Sequence, residues 1–211
     1  MKNIWLFFFL LPVQVTFSQQ YSYDSLNRLI RISYTGDVYI TYSYDANGNR
    51  INSTVSSAIC PSTQASFYAG ANDTSNTYQW QVDTGSGFIS INDDANYSGS
   101  TSAILSVNNA PTTWYGYKYR CLINGSSGIS FSNVATLKFA STWIGNKSKA
   151  WENPLNWSCG VVPDANIDVV INGNTKFLPK VSFPASCRSL TLGQNTVLYL
   201  MKDQLLTITG K

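Results

Sequence analysis

Residues 118–123 read KYRCLI, and the class of fold follows from the alternation of side chains along this stretch. Tyr119, Cys121 and Ile123 would lie on one face of an extended strand, because successive side chains of a strand point to opposite faces. The same period of two recurs in YITYSY, ASFY and LLTI, at residues 39–44, 65–68 and 205–208. Asn, Asp, Gly and Ser clusters separate such runs, and no later stretch has helical periodicity. The sequence therefore predicts an all-β protein.

The composition excludes several classes of function. Only 12% of the 211 residues are charged, about half the usual share of roughly a quarter, and the net charge is +3 without a Lys/Arg run. Nothing here indicates binding to nucleic acid. The chain contains no histidine, which removes Ser–His and Cys–His nucleophile pairs and histidine-ligated zinc. No spacing singles out a pair of carboxylates for hydrolysis. We therefore predict neither an enzyme nor a bound cofactor.

The first residues have the pattern of a secretory signal peptide. Residues 1–18 begin with Lys2 and continue through a short apolar run to Thr16-Phe17-Ser18, which places small residues at a cleavage site before Gln19. The run is shorter than the roughly 20 residues of a membrane span. We expect export, a mature chain without a transmembrane anchor, and a secreted or cell-surface location.

An exported chain with an even number of cysteines is expected to form disulfides. The four cysteines, Cys60, Cys121, Cys159 and Cys187, allow three pairings. We favour Cys60–Cys121 and Cys159–Cys187, because each bridge would then lie within one predicted module.

The segment from residue 19 to 56 contains an internal repeat. YSYD at residues 21–24 recurs at residues 42–45, and each copy runs into a turn in which Asn27 and Gly48 hold equivalent places. Each copy predicts a strand, a tight turn begun by an aspartate that caps its own backbone, and a return strand. The pattern resembles the YD repeat of RHS-type surface proteins, which implies β-hairpins with structural tyrosines and aspartates.

Residues 57–140 have the size and strand spacing of a β-sandwich. Trp80 would be the buried tryptophan of a central strand, and Tyr119 lies two residues before Cys121, where a tyrosine corner ties a loop to the sheet. The segment is similar to the Ig-like repeats of modular bacterial surface proteins. Cys60 lies further upstream than the inter-sheet cysteine of that fold, so its bridge would join an edge of the sandwich.

Residues 141–211 are rich in tryptophan. Their pattern of Trp143, Gly145, Trp151, Trp157 and Pro163 resembles a module that precedes β-solenoid-like repeats in exported bacterial proteins. The runs at residues 187–192 and 205–210 resemble the first rungs of such a solenoid. We therefore expect the chain to be either a truncated gene product or a remnant of a larger modular protein.

Two groups of side chains are candidates for ligand binding. Asp93 and Asp94 form the sole adjacent acidic pair and could bind Ca²⁺, although such residues usually cap turns, and we predict no metal site. Trp143, Trp151 and Trp157 could stack on sugar rings, although in so small a module they more often form the core.

Three functions are consistent with these patterns. We favour a non-enzymatic secreted or surface protein with an adhesive, structural or display role, whose partners are other surface proteins or glycans. The first alternative is a carbohydrate-binding module that uses the three tryptophans. The second is the N-terminal fragment of a solenoid enzyme that processes polysaccharides.

Overall fold

The computed structural model describes residues 20–33, 39–44, 47–48, 50–56, 58–69, 76–126, 128–194 and 196–210. The predicted signal peptide, residues 1–18, lies outside these residues. Within them the regular secondary structure is almost entirely β, and the helical segments are two short 3-10 helices, Thr112–Trp114 and Pro154–Asn156. The prediction of an all-β fold is therefore confirmed. No helix in the described part of the chain is long and apolar enough to cross a bilayer.

The first sheet is an antiparallel meander of four consecutive strands. Its strands are β1 (Gln20–Tyr23), β2 (Leu29–Ser33), β3 (Tyr39–Tyr44) and β4 (Arg50–Ser56). The turn after β1 forms as predicted, because Asp24 Oδ1 accepts hydrogen bonds from the backbone N–H groups of Leu26 and Arg28. Asn27 and Gly48 both have a positive φ, of 60° and 86°. At this position the two copies of the repeat thus share a left-handed backbone conformation.

Two further sheets face each other and form a sandwich, which we define as residues 58–139. Its strands in chain order are β5 (Ala58–Ile59), β6 (Ala65–Tyr68), β7 (Thr77–Asp83), β8 (Phe88–Ser90), β9 (Tyr97–Ser98), β10 (Ile104–Val107), β11 (Lys118–Gly125), β12 (Gly128–Phe131) and β13 (Ala135–Thr136). One sheet has the order β6-β10-β9 and the other β12-β11-β7-β8, with β13 also paired to β11. This is the division of strands between the two sheets of an immunoglobulin fold, so the predicted Ig-like sandwich is confirmed.

The strand β14 (Lys138–Trp143) connects the sandwich to the rest of the chain. Its first two residues pair in parallel with β5, and its last four pair in parallel with β15 (Asp168–Ile171). Because β14 lies between β5 and β15 in one sheet, the same strand completes the sandwich and begins the C-terminal part of the chain. The boundary predicted at residues 140 and 141 therefore falls inside a continuous strand.

The C-terminal region, residues 140–210, consists of short parallel ladders. Its remaining strands are β16 (Lys180–Val181), β17 (Ala185–Cys187), β18 (Ser189–Leu192), β19 (Tyr199–Leu200) and β20 (Leu206–Ile208). β15 pairs with β18, β16 with β19 and β17 with β20, each in parallel. The strands β18, β19 and β20 therefore repeat the order of β15, β16 and β17, and each pairs with its counterpart. The two runs predicted as rungs do contain strands, but residues 206–208 pair with residues 185–187.

The favoured disulfide pairing is wrong. The bridge joins Cys60 to Cys159, with Cα atoms 5.3 Å apart, and Cys121 and Cys187 are buried free thiols. The prediction assumed that each bridge stays within one module. However, β14 brings the modules together: Cys60 directly follows β5 on one edge of β14, and Ser158 donates its backbone N–H to Thr142 of β14. Cys159 is thereby placed within bonding distance of Cys60.

We expect chemical mapping to find this single bridge in the oxidised protein. Burial raises the pKa of the Cys121 thiol to about 12 and that of Cys187 to about 11, so both stay protonated and inaccessible near neutral pH. Native alkylation followed by non-reducing peptide mapping should yield a Cys60–Cys159 peptide. Cys121 and Cys187 should be alkylated only after unfolding. A Cys60–Cys121 peptide in native protein would contradict the structure.

The bridge should contribute measurably to stability. It closes a loop with a sequence separation of 99 residues, and constraining so long a loop in the unfolded chain stabilises a protein by about 4 kcal/mol. We expect the double variant Cys60→Ser/Cys159→Ser to lose about this free energy of unfolding in denaturant titrations. The matched control is wild-type protein treated with reductant, which should show the same loss.

Candidate functional site

The three candidate tryptophans form a compact cluster inside the C-terminal region, and each is about 1% exposed. The ring of Trp157 lies edge-on to those of Trp143 and Trp151, with centroids 5.1 and 4.6 Å away. The Trp157 indole N–H donates to the backbone O of Trp151, and the Trp143 N–H donates to that of Phe177. No ring face in this cluster is open to stack on a sugar. The cluster is the core of the region.

Two residues of the sequence pattern around these tryptophans, Asn156 and Gly145, have a structural role in the loop between the rings. Asn156 is fully buried, and its Oδ1 accepts the backbone N–H groups of Lys147 and Ser148 while its Nδ2 donates to Ala150 O. Gly145 has a φ of 55°, and a Cβ there would collide with Phe177 O. These residues hold the loop around the cluster. The sequence offered Gly145 as part of a motif but gave no signal that Asn156 organises the loop.

A substitution in this cluster should cost stability, not expose a binding site. We expect Trp157→Ala to lower the free energy of unfolding by about 3–5 kcal/mol, because it leaves a large cavity among the rings. Leu155→Ala is the matched control, since this side chain on the same loop is 59% exposed. Its effect should stay within about 0.5 kcal/mol. Denaturant titration measures both values, and equal losses would contradict a core role.

The structural residues predicted for the sandwich are both at its centre. Trp80 and Tyr119 are completely buried, and the Trp80 indole N–H donates to Ser102 O at 2.9 Å. The Tyr119 ring stacks on Phe67 with centroids 4.7 Å apart, and its hydroxyl lies 3.5 Å from that of Tyr97. Burial raises the pKa of Tyr119. Its hydroxyl therefore faces another tyrosine across the core, whereas the tyrosine corner implies a backbone acceptor.

The two aspartates considered for calcium hold their own loop. Asp93 Oδ1 accepts the backbone N–H of Ser100 at 2.7 Å, and Asp94 Oδ1 accepts those of Asn96 and Tyr97, both at 2.7 Å. This is the turn-capping use of aspartate. In the described part of the chain, no group of three His, Cys, Asp or Glu side chains is arranged to bind a metal ion.

The Asp93 carboxylate should make the free energy of unfolding depend on pH in the acidic range. Hydrogen bonds from Ser100, through its side chain and then its backbone N–H, and from Gly99 hold the pKa of Asp93 below its usual value of 3.8. This stabilisation is present above the unfolded pKa and is lost as the pH falls through the lower folded pKa. We expect Asp93→Asn to show a smaller loss of stability on acidification than wild type in denaturant titrations. Equal losses in both proteins would contradict this role.

The sandwich and the C-terminal region meet at a polar junction that the sequence did not reveal. Asp168 of β15 accepts hydrogen bonds from the Tyr115 hydroxyl at 2.6 Å and from the Ser189 hydroxyl at 2.5 Å, and it pairs with Arg188 at 3.2 Å. The Arg188 guanidinium also lies 3.9 Å above the Tyr115 ring. Beside them, Ile167 of the C-terminal region packs into the sandwich core. The junction joins three segments that are far apart in sequence, at residue 115, residues 167–168 and residues 188–189, and no pattern in the sequence connects them.

A groove of about 390 Å³ adjoins the tryptophan cluster. Its walls are the loop of residues 162–164 and the chain of residues 183–186, and its floor includes Trp151. Glu152 and Asp164 supply the charged side chains of the lining. The exposed ring of Phe183 stands at its side. Neither Phe183 nor Glu152 was predicted from the sequence as a site residue.

Two family models match parts of the chain. Residues 23–58 match the RHS Repeat, which confirms the resemblance of the first sheet to YD repeats. Residues 142–211 match a domain of unknown function, DUF8693. Each match covers less than half of the 211 residues. No curated protein matches the chain.

Solved structures with weak overall similarity were also found. One, reported as "Structural basis for Dscam isoform specificity", is 12% identical with a TM-score of 0.34 and covers 50% of this chain; the chain spans 34% of its length. Another, the crystal structure of murine CEACAM1b, is 15% identical with a TM-score of 0.29 and covers 62% of this chain and 89% of its own.

Proposed function

We propose that this chain is an exported, non-enzymatic surface protein with a structural, display or adhesive role. The observation that carries the proposal is the direct connection of the sandwich to the C-terminal region through β14. One strand completes both units, Ile167 enters the sandwich core, and the bridge Cys60–Cys159 spans the joint. Such a joint suits a stem that holds other modules at a fixed distance and orientation.

Export is supported by two features. Residues 1–18 have the pattern of a cleaved signal peptide. The bridge Cys60–Cys159 is the kind of disulfide that forms in oxidising compartments and is rare in reducing ones. The match to the RHS repeat is consistent with a surface protein.

We further propose that the chain is modular, with YD hairpins over residues 19–56, an Ig-like unit over residues 57–140 and a solenoid start over residues 141–211. Support for the last unit comes from its three parallel ladders, because stacked parallel strands are how a β-solenoid buries its core. The side chains considered for ligand binding instead hold loops and cores, which favours a structural role over catalysis.

Fractionation of the cells that make the protein tests this function. We expect a mature chain that begins at Gln19, lies in the medium or on the surface, is cleaved by protease added to intact cells, and carries the oxidised bridge. A known cytoplasmic protein must stay intact in the same sample as the control. A full-length, reduced chain in the cytoplasm would contradict export.

An adhesive or display role is tested by deletion of the gene. The deleted strain should attach less to its surfaces or to neighbouring cells, and complementation with the wild-type gene should restore attachment. Complementation with a gene whose signal peptide has been removed is the matched control and should fail. Unchanged attachment together with altered growth on a polysaccharide would favour an enzymatic role.

A further inference from the structure

The outer face of the sheet β12-β11-β7-β8 carries one arginine whose side chain is held in place. Arg120 lies on β11, and its Nε–H donates to Oε1 of Gln81, directly opposite on β7, at 2.8 Å. Its guanidinium carbon lies 4.0 Å from the ring centre of Phe88 and 4.2 Å from that of Phe131. These rings come from β8 and β12, which lie on opposite sides of β11 in the sheet. The hydrogen bond and the two rings together restrict the guanidinium to one position.

Most of the hydrogen-bond donors of this guanidinium have no acceptor. Of its N–H groups, only Nε–H is paired among the described residues. The ion pairs in this part of the chain are those of Arg28 and Arg188, so no carboxylate neutralises Arg120. Its Nη atoms are not buried, because the buried polar atoms that lack a partner in the described residues all belong to other side chains. A ligand can therefore reach a charged, planar fork of N–H groups.

Apolar side chains lie around this fork on the same face of the sheet. Cys121 is buried, so Arg120 and Leu122 on either side of it point outward, because successive side chains of a strand alternate. Phe131 pairs with Leu122 and is 46% exposed, and Ile129 on the same face of β12 is 68% exposed. Protein interfaces have such centres, rich in arginine, aromatic and apolar side chains and poor in other charges.

The charge of this face is complementary to an acidic partner. Among the outward side chains of β7, β8, β11 and β12, the charged ones are Arg120, Lys118 and Asp83, which is opposite Lys118. The Asp83 carboxylate accepts the backbone N–H groups of Gly85 and Gly87 and is thereby held in its own turn. The positive charge of Arg120 is left without compensation. A guanidinium binds a carboxylate through two parallel N–H···O bonds, so a carboxylate is the group that fits it.

We propose that this face binds an acidic protein segment. A glutamate or aspartate carboxylate of the partner accepts two N–H groups of Arg120, and neighbouring apolar side chains pack on Phe131 and Ile129. A sugar acid would offer the same carboxylate, but the exposed aliphatic side chains beside it favour apolar protein side chains over a surface of hydroxyl groups. The proposal rests on the adhesive role proposed above, because it supplies the surface that holds the partner.

A nuclear magnetic resonance titration of the purified, oxidised protein tests this proposal. The probe is a short peptide with blocked ends and one glutamate between leucines, and the comparison peptides have glutamine or lysine in its place. We expect the glutamate peptide to shift the Nε–H signal of Arg120 and the backbone amide signals of β11 and β12. It should bind at least about tenfold more tightly than the glutamine peptide. This comparison needs no variant of the protein.

Variants of the protein test whether the fork itself is needed. Arg120→Lys keeps the positive charge but loses the planar fork, so it should weaken binding of the glutamate peptide about tenfold. Phe131→Ala should weaken it about fivefold. Lys202→Gln is the matched control, because it removes an exposed positive charge outside the sandwich and should leave the affinity unchanged. Amide spectra that match wild type away from the substitution establish that each variant is folded.

Several outcomes would overturn this proposal. They are equal affinities for the glutamate and glutamine peptides, absence of binding, and binding that Arg120→Lys retains in full. Tighter binding of an oligomer of galacturonic acid at this face, or dimerisation of the protein that Arg120→Lys abolishes, would overturn it in favour of a glycan or a second copy. A gene that restores attachment although its protein binds none of the peptides would leave the adhesive role intact and remove this surface, so the two can fail separately.

Discussion

The parallel pairing of β14 with strands on both of its edges is the constraint on which the rest of the structure depends. β5 from the beginning of the sandwich lies on one edge, and β15 of the C-terminal region lies on the other. This arrangement carries Cys60 and Cys159 to the same place, brings Ile167 into the sandwich core and sets Asp168 opposite Tyr115. A single strand therefore makes two sequence modules into one packed unit, with no linker between them.

The sequence predicted the elements that depend on local patterns. Alternation along β7 and β11, the turn residues Asn27 and Gly48, and the burial of Trp80 all follow from spacing and residue type. Contacts between distant segments were not predictable in this way. The bridge forms because β14 pairs both with β5 of the sandwich and with β15 of the C-terminal region. No sequence pattern indicates this double pairing, so the favoured disulfide pairing was wrong.

The same difference between local patterns and long-range contacts applies to the candidate site. The tryptophans were visible because their residue type is rare and they form part of a recognisable pattern, but such a pattern does not tell which way a ring faces. Their burial depends on Asn156 and Gly145, which hold the loop around them. The groove residues Phe183 and Glu152 gave no signal, because they are single residues from segments that lie side by side only in the folded chain.

The bridge Cys60–Cys159 also determines how the protein responds to pulling. Tension between the YD hairpins and the C-terminal region passes directly through the two sulfur atoms, so the sandwich enclosed between them bears none of it. The enclosed span, with a sequence separation of 99 residues, would extend by roughly 330 Å if it unravelled. While the bridge is intact, such a load cannot unravel the span between the two cysteines. Reduction of the bridge exposes that span to the load, so the redox state of the surroundings sets how far the chain can extend.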